Sequence, residues 1–291
     1  MNRISGFLTY WGYSAAWKIV RTLPERFTYR SAEKFADRLV KKNGVGITRL
    51  RNNYQRVHPY LTSEELSELA KLGARSYLRY WVDTFRSPFW STERTLATVV
   101  VEHEELLRDP LKEGRGCIVA LPHAGNWDHA GAYFCATGAP LVTVAEHLKP
   151  EKLFQKFLRH REAIGMEVLA LDARVIGVLA ARLRKGRLVA LVADRDLSES
   201  GIPVEFCGAK TRMPAGPAIL SIQTGAPLIT AFVSYSPTGI HITFAPEIAV
   251  PAEGSVSEKA AVMTQEMATR FEIGIKSKTE DWHMLQKVWV D

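Results

Sequence analysis

The chain has 291 residues, 46% hydrophobic and 24% charged, which is ample for a packed core as one large domain or two small ones. Its three cysteines, Cys117, Cys135 and Cys207, form no CxxC pair, so a disulfide framework and a cysteine zinc site are both disfavoured and a reducing compartment is implied. The net charge of +7 is uneven: residues 1–60 carry twelve Lys and Arg against three acids, leaving the remainder slightly negative. Such asymmetry points to a polyanion, either nucleic acid or anionic lipid.

Residues 4–23 place Trp11, Tyr13, Trp17, Ile19, Val20 and Leu23 at helical spacing, and Pro24 stops the pattern. A second helix over 31–42 mixes Phe35 and Leu39 with Lys34, Arg38, Lys41 and Lys42. Aromatics beside cations on an amphipathic helix fit a helix lying in a membrane interface, and equally fit a core-packed helix with a solvated basic face. No run approaches the roughly 18 apolar residues of a membrane span. Lys18 and Arg21 interrupt the N-terminal apolar residues and no small-residue cleavage site follows, so no signal peptide is expected. The sequence predicts a soluble or membrane-surface protein. No nucleic-acid-binding signature appears, which leaves lipid as the favoured polyanion.

The stretch 49–60 reads as a connector. Residues 62–86 predict a helix capped by Thr62 or Ser63 with Glu65 close behind, ended by Ser87-Pro88. From Cys117 strands and helices alternate: strands at 117–121, 141–145, 167–171 and 188–193, with helices at 127–136, 151–164 and 173–185 between them. A short strand at 204–206, a helix opened by Pro217, strands at 227–234 and 240–244 and a helix over 256–277 follow. This order predicts an α/β fold with a mainly parallel central sheet flanked by helices. The expected organisation is a single domain, residues 1–291, with a helical region over 1–90 and an α/β region over 91–291.

The candidate chemistry gathers at strand ends, where open α/β sheets place their sites. His123 and Asp128 follow the first strand; Glu146, His147 and Lys149 follow the second. Asp194 and Arg195 follow the fourth, and Lys210 and Arg212 lead toward a helix. A carboxylate on one imidazole nitrogen leaves the other free as a base. His123 and Asp128 can meet across a strand-to-helix turn; alternatively Asp128 merely stabilises the helix start. There is no GxSxG elbow, P-loop or GxGxxG, and a metal site is disfavoured because adjacent Asp128 and His129 diverge on a helix. Direct acyl or phosphoryl transfer to a hydroxyl remains.

Pro122-His-Ala-Gly-Asn-Trp-Asp128 matches the HX4D motif of the glycerolipid and lipid A acyltransferases. The ordered series Val144–Pro150, Ala193–Leu197, Val204–Gly208, Thr211–Pro217 and Asp281–Gln286 resembles the actinobacterial phosphatidylinositol mannoside acyltransferases over most of the chain. The resemblance implies a glycerol-phosphate-acyltransferase-like fold and a peripheral enzyme on the cytoplasmic face of the cell membrane. It implies transfer of a palmitoyl group from acyl-CoA, a co-substrate, to the 6-hydroxyl of the mannose on inositol position 2, with no cofactor. It implies that His123 is the base and Asp128 its orienting partner. Acceptor or donor contacts would come from Asn126, Glu146, His147, Lys149, Arg161, Asp194, Arg195, Arg212 and His283. The mycobacterial members carry a glutamate where this chain has Asp194, which leaves two roles open, a hydrogen bond to the acceptor sugar or pairing with Arg195. The implied partners are acyl-CoA, a glycolipid acceptor and an anionic membrane surface. Two alternatives stand beside this: a lipid A-type acyltransferase and a lipid-binding module without turnover.

Overall fold

The computed structural model describes residues 3–146, 150–196 and 200–289, with side chains from Trp11 onward. Four helices come first: α1 (Arg3–Thr22), α2 (Glu25–Lys42), α3 (Val45–Val57) and α4 (Ser63–Arg86). Thr62 and Glu65 form the expected capping box of α4, each side chain satisfying the other's backbone N–H. The supposed connector at 49–60 is mostly helix α3, because Leu50, Tyr54 and Val57 recur at helical spacing and bury one stripe against α4. Pro24 ends α1 and also opens α2, so the second helix starts six residues earlier than its apolar pattern suggests.

The α/β part follows as α5 (Thr92–Ala97), β1 (Val99–Glu102), α6 (Glu105–Lys112), β2 (Cys117–Leu121), α7 (Trp127–Ala136), β3 (Leu141–Ala145), α8 (Glu151–Ala163), β4 (Glu167–Ala170), α9 (Val175–Leu183) and β5 (Leu188–Val192). Next come β6 (Ile202–Phe206), β7 (Ala209–Met213), α10 (Gly216–Thr224), β8 (Leu228–Tyr235), β9 (Ile240–Ala245) and α11 (Val256–Ser277). Seven strands form one sheet in the order β1-β9-β8-β2-β5-β3-β4, parallel throughout except for β8 against β9. The expected short strand at 204–206 is one arm of a separate hairpin, β6 with β7, turned by Cys207 and Gly208 at positive φ. Lys210 and Arg212 therefore lie on β7, not in a loop.

Every residue of the central strand β2 is buried, as both faces of the sheet are covered. Ile118 and Ala120 join a core built with α3, α9, α10 and α11. Cys117, Val119 and Leu121 join the opposite core, built with α6 and α7. The site lies where β2, β5 and β3 run out.

α1 packs through part of its aromatic face. Trp17 is buried, stacked on Phe85 of α4 at 4.7 Å and edge-on to His160 of α8 at 5.2 Å. Tyr13 meets Trp81 edge-on at 5.7 Å, while Trp11 and Ile19 stay exposed. The core-packed reading thus holds for the side that carries Trp17 and Tyr13, and the opposite side stays exposed.

Candidate active site

Five backbone residues carry β2 into α7, and the turn demands a glycine. Gly125 has φ +58°, and a Cβ there would lie 2.5 Å from the Val233 carbonyl oxygen. Asn126 caps α7, its Oδ1 accepting from the His129 N–H at 2.9 Å. It is fully buried, so the contact to substrate expected of Asn126 gives way to a role in the turn.

His123 sits in the turn with a third of its side chain exposed. Its Nδ1 lies 2.5 Å from Asp194 Oδ1, and its backbone N–H donates to Asp194 Oδ2 at 3.0 Å. The Trp282 indole N–H donates to the same Oδ2 at 2.8 Å. The orienting carboxylate is therefore Asp194 at the end of β5, not Asp128. Burial opposes the charge of the fully buried Asp194, but His123 and the three donors outweigh it and hold its pKa below the ordinary carboxylate value. With Nδ1 engaged, Nε2 is the nitrogen left for a substrate.

Asp128 lies in the first turn of α7, but its oxygens are committed elsewhere. Oδ1 accepts from Arg161 Nε at 2.8 Å and Oδ2 from the Tyr80 hydroxyl at 3.1 Å. Burial works against the Arg161 charge, yet Asp128 and Tyr80 raise the guanidinium pKa above its usual value. No hydrogen bond joins His123 to Asp128 among the described residues. The HX4D spacing brings both near one cleft and gives them different partners, because β5 delivers Asp194 beside β2 in register (Leu121 opposite Val192).

A C-terminal segment closes the back of the turn. Ala124 and Trp282 form an antiparallel bridge, flanked by Gly125 N–H to Asp281 O and His283 N–H to His123 O, both 2.8 Å. Asp281 in turn accepts from Ser76 Oγ at 2.6 Å and from the Tyr235 N–H at 2.7 Å. His283 is buried, its Nε2 2.8 Å from Ser76 Oγ, and burial with the neighbouring His123 pushes its pKa down to about 3. The substrate contact expected of His283 thus falls on a buried, neutral imidazole.

The remaining candidates scatter. Arg195 pairs with Glu146 at 3.6 Å, which joins two of the predicted clusters and leaves Asp194 to His123. Arg212 is exposed on β7 and donates to the Gly201 carbonyl at 2.8 Å. His147 and Lys149 lie outside the described residues.

Beside the turn an apolar pocket opens between the sheet and α7, about 640 Å³ when the space open to solvent is counted. Trp127, whose ring lies 5.6 Å from that of His123, forms part of its wall, as do Asp128 and Arg161. Small side chains make the room: Ala130 and Gly131 on α7 face Ala190 and Ala231 on the strands. The lining runs from Thr143 on β3 across β5, β2 and β8 to Phe244 on β9, four strand spacings of about 4.8 Å, or roughly 19 Å.

Trp282, Tyr80 and Ser76 escaped the sequence reading. Trp282 lies inside a run that was singled out, but its indole partner is 88 residues away. Tyr80 and Ser76 sit on a helix that reads only as amphipathic.

The sequence profile of the bacterial lipid A biosynthesis acyltransferase family matches residues 2–290. The phosphatidylinositol mannoside acyltransferase of Mycolicibacterium smegmatis is 38% identical over 290 residues, covering 99% of this chain and 93% of that protein. The phosphatidylinositol mannoside acyltransferase of Mycobacterium tuberculosis is 38% identical over 287 residues, covering 97% of this chain and 89% of that protein.

Proposed function

Since the chain belongs to the bacterial lipid A biosynthesis acyltransferase family, we propose that it transfers a fatty acyl group to a phosphatidylinositol mannoside. In this reading the donor is acyl-CoA carrying palmitoyl and the acceptor is the 6-hydroxyl of the mannose on inositol position 2. The observation that carries the reading is the His123–Asp194 pair standing beside an apolar pocket between the sheet and α7. A base alone suits many reactions; a base next to a long apolar slot suits acyl transfer.

His123 Nε2 accepts the proton of the acceptor hydroxyl as its oxygen attacks the thioester carbon. The C–O bond forms and the carbonyl electrons move onto oxygen. Their return breaks the C–S bond, and the imidazolium returns its proton to the departing thiolate. Asp194 holds the imidazole in one tautomer and stabilises its charge. Arg161, held by Asp128 at the cavity wall, supplies positive potential for the transient oxyanion. The cavity removes the acyl chain from water, worth roughly 0.8 kcal/mol per buried CH₂.

Membrane delivery of the acceptor fits α2. Arg26, Phe27, Arg30, Lys34, Phe35 and Arg38 are all exposed along that helix, the mixture that binds anionic interfaces. No helix among the described residues is long and apolar enough to cross a membrane. The proposed location is the cytoplasmic face of the membrane, as a peripheral protein. The family's lipid A members suggest a second acceptor class, but the 38% relatives spanning nearly the whole chain favour the mannoside. The intact His–Asp pair favours turnover over passive lipid binding.

The test is incubation of the purified protein with labelled palmitoyl-CoA and either phosphatidylinositol mannosides or lipid A precursors, with products identified by mass spectrometry. A monoacylated mannoside is expected. Transfer to lipid A precursors alone, or binding without any transfer, overturns the assignment.

A further inference from the structure

We propose that Trp282 is a positioning residue of this site: its indole N–H fixes the Asp194 carboxylate against His123, while its backbone pins the turn that carries the imidazole. The kinetic consequence rests on the acyl-transfer reading; the structural one does not.

An indole nitrogen only donates, and a buried one needs an acceptor. Trp282 is fully buried, and its acceptor is Asp194 Oδ2 at 2.8 Å. That oxygen also receives the His123 N–H at 3.0 Å, which leaves Oδ1 to face Nδ1 at 2.5 Å. Two donors on one oxygen fix the carboxylate torsion. Without the indole, one backbone N–H would hold it. The same residue forms the bridge to Ala124, so ring and backbone act on opposite sides of one turn.

The ring is itself held rigidly. Phe206 meets it edge-on at 6.0 Å and Trp289 at 6.3 Å, and those two stack on each other at 5.8 Å. Trp289 is tied down by its own indole bond to the Phe206 carbonyl at 3.0 Å. This anchoring lets a neutral donor act as a fixed support for a buried charge.

Among the described residues, the ionisable groups named around the pair have partners of their own. Arg195 pairs with Glu146, Arg161 with Asp128, and Asp281 with Ser76 and the Tyr235 N–H. His283 contacts Ser76 from the far side of the turn. A change at the indole nitrogen touches none of these bonds.

The experiment compares Trp282→Phe with Phe206→Leu in the full chain. Trp282→Phe keeps an aromatic ring and removes the donor together with the second ring of the indole, a packing loss that Phe206→Leu controls for. Carbon-13 carboxyl NMR should show Asp194 protonating at higher pH than in the wild type, because a donor that favours its charged form is gone. With palmitoyl-CoA and mannoside acceptor, kcat should fall roughly 10–100-fold, the loss of one hydrogen bond to a charged group, with KM within about two-fold. The acid limb of the rate profile should move to higher pH. Phe206→Leu loosens the same aromatic cluster but keeps the donor, so it should lower Tm while shifting the Asp194 midpoint and kcat by clearly less than Trp282→Phe does. If Trp282→Phe does not fold, the wild type answers instead: the Trp282 indole N–H resonance must shift as Asp194 titrates. An unchanged Asp194 midpoint in Trp282→Phe, an equal change in Phe206→Leu, or a flat indole resonance overturns the proposal. The carboxyl titration needs no substrate, so a wild type that transfers no acyl group defeats the functional reading and leaves this inference standing.

Discussion

The two faces of the central sheet are packed by different rules. On one, Phe206, Phe271, Trp282, Met263, Met267 and Leu220 fill the space under α10, α11 and the hairpin, all of them buried. On the other, α7 meets the strands through Ala130 and Gly131, and an apolar pocket remains. The helix cannot simply close down, because Phe134 and Trp127 keep its two ends propped against the sheet. A packed interior is normally filled to crystal density. The contrast teaches that stability resides mainly in the first face, whereas the second gives up packing for a slot. The proposed site sits on the edge they share, with Asp194 reached from the packed face by Trp282 and His123 flanked on the cavity face by Trp127.

The largest effect is expected on that shared edge. His123→Ala should lower kcat by about 10²–10⁴-fold with folding intact. Steady-state transfer assays check it, and activity within a few-fold of wild type removes His123 as the base. Asp194→Asn should follow in the same direction, whereas Asp128→Asn should act through Arg161 and Tyr80 rather than through the imidazole.

The packed face comes next. Phe271→Ala should cost roughly 3–5 kcal/mol in urea unfolding, the usual loss for a buried phenylalanine. Its donor chain-length preference should stay that of the wild type. A change of preference would mean the two faces are not separate.

Acid should weaken the fold through two buried histidines. Burial lowers His129 to about 4, and burial with His123 lowers His283 to about 3, both from 6.5. The unfolded chain therefore takes up protons first. Their contribution is complete above about pH 6.5 and is lost as pH falls toward 4 and 3, roughly 2 kcal/mol each by pH 5. Burial raises Asp83 and Asp281 instead, which offsets part of this loss. Urea midpoints at pH 7.5 and pH 5 measure the sum, and a higher midpoint at pH 5 contradicts the assignment.

On the cavity face, Ala190→Leu should leave stability within about 1 kcal/mol, since the added carbons enter existing space. It should weaken palmitoyl donors by about four-fold for each CH₂ it excludes and spare short ones. Equal effects on palmitoyl-CoA and acetyl-CoA would show that the acyl chain lies elsewhere.

The smallest effect lies away from both faces. Changing Arg30, Lys34 and Arg38 to Gln should weaken binding to vesicles containing phosphatidylinositol by about 1 kcal/mol per charge at low salt, and less as salt rises. Co-sedimentation reads this directly. Activity on detergent-dispersed acceptor should not change. Trp11→Ala should weaken binding at all salt concentrations, whereas Trp17→Ala should destabilise the fold, because Trp17 is stacked on Phe85.

The sequence by itself determined the alternation of strands and helices from Cys117 onward, the capped helix α4 and the location of His123 after a buried strand. These are local: a period, a cap or a turn residue is readable within one stretch of chain. It missed α3, whose apolar stripe is thin among charged residues, and the four-residue edge strand β1, which is too short to show a period. The candidate site was legible as a set of residue types at strand ends, but not in its pairing. Asp128 is five residues from His123 and Asp194 is 71 residues away, yet the distant carboxylate holds the imidazole. Only the tertiary structure could decide this, because the parallel register of β2 with β5 sets which strand end faces the turn. The same holds for Trp282 and for the cavity. A hydrogen bond from the chain terminus and a void left by small residues on two strands and a helix are properties of packed elements, and no single stretch of sequence contains them.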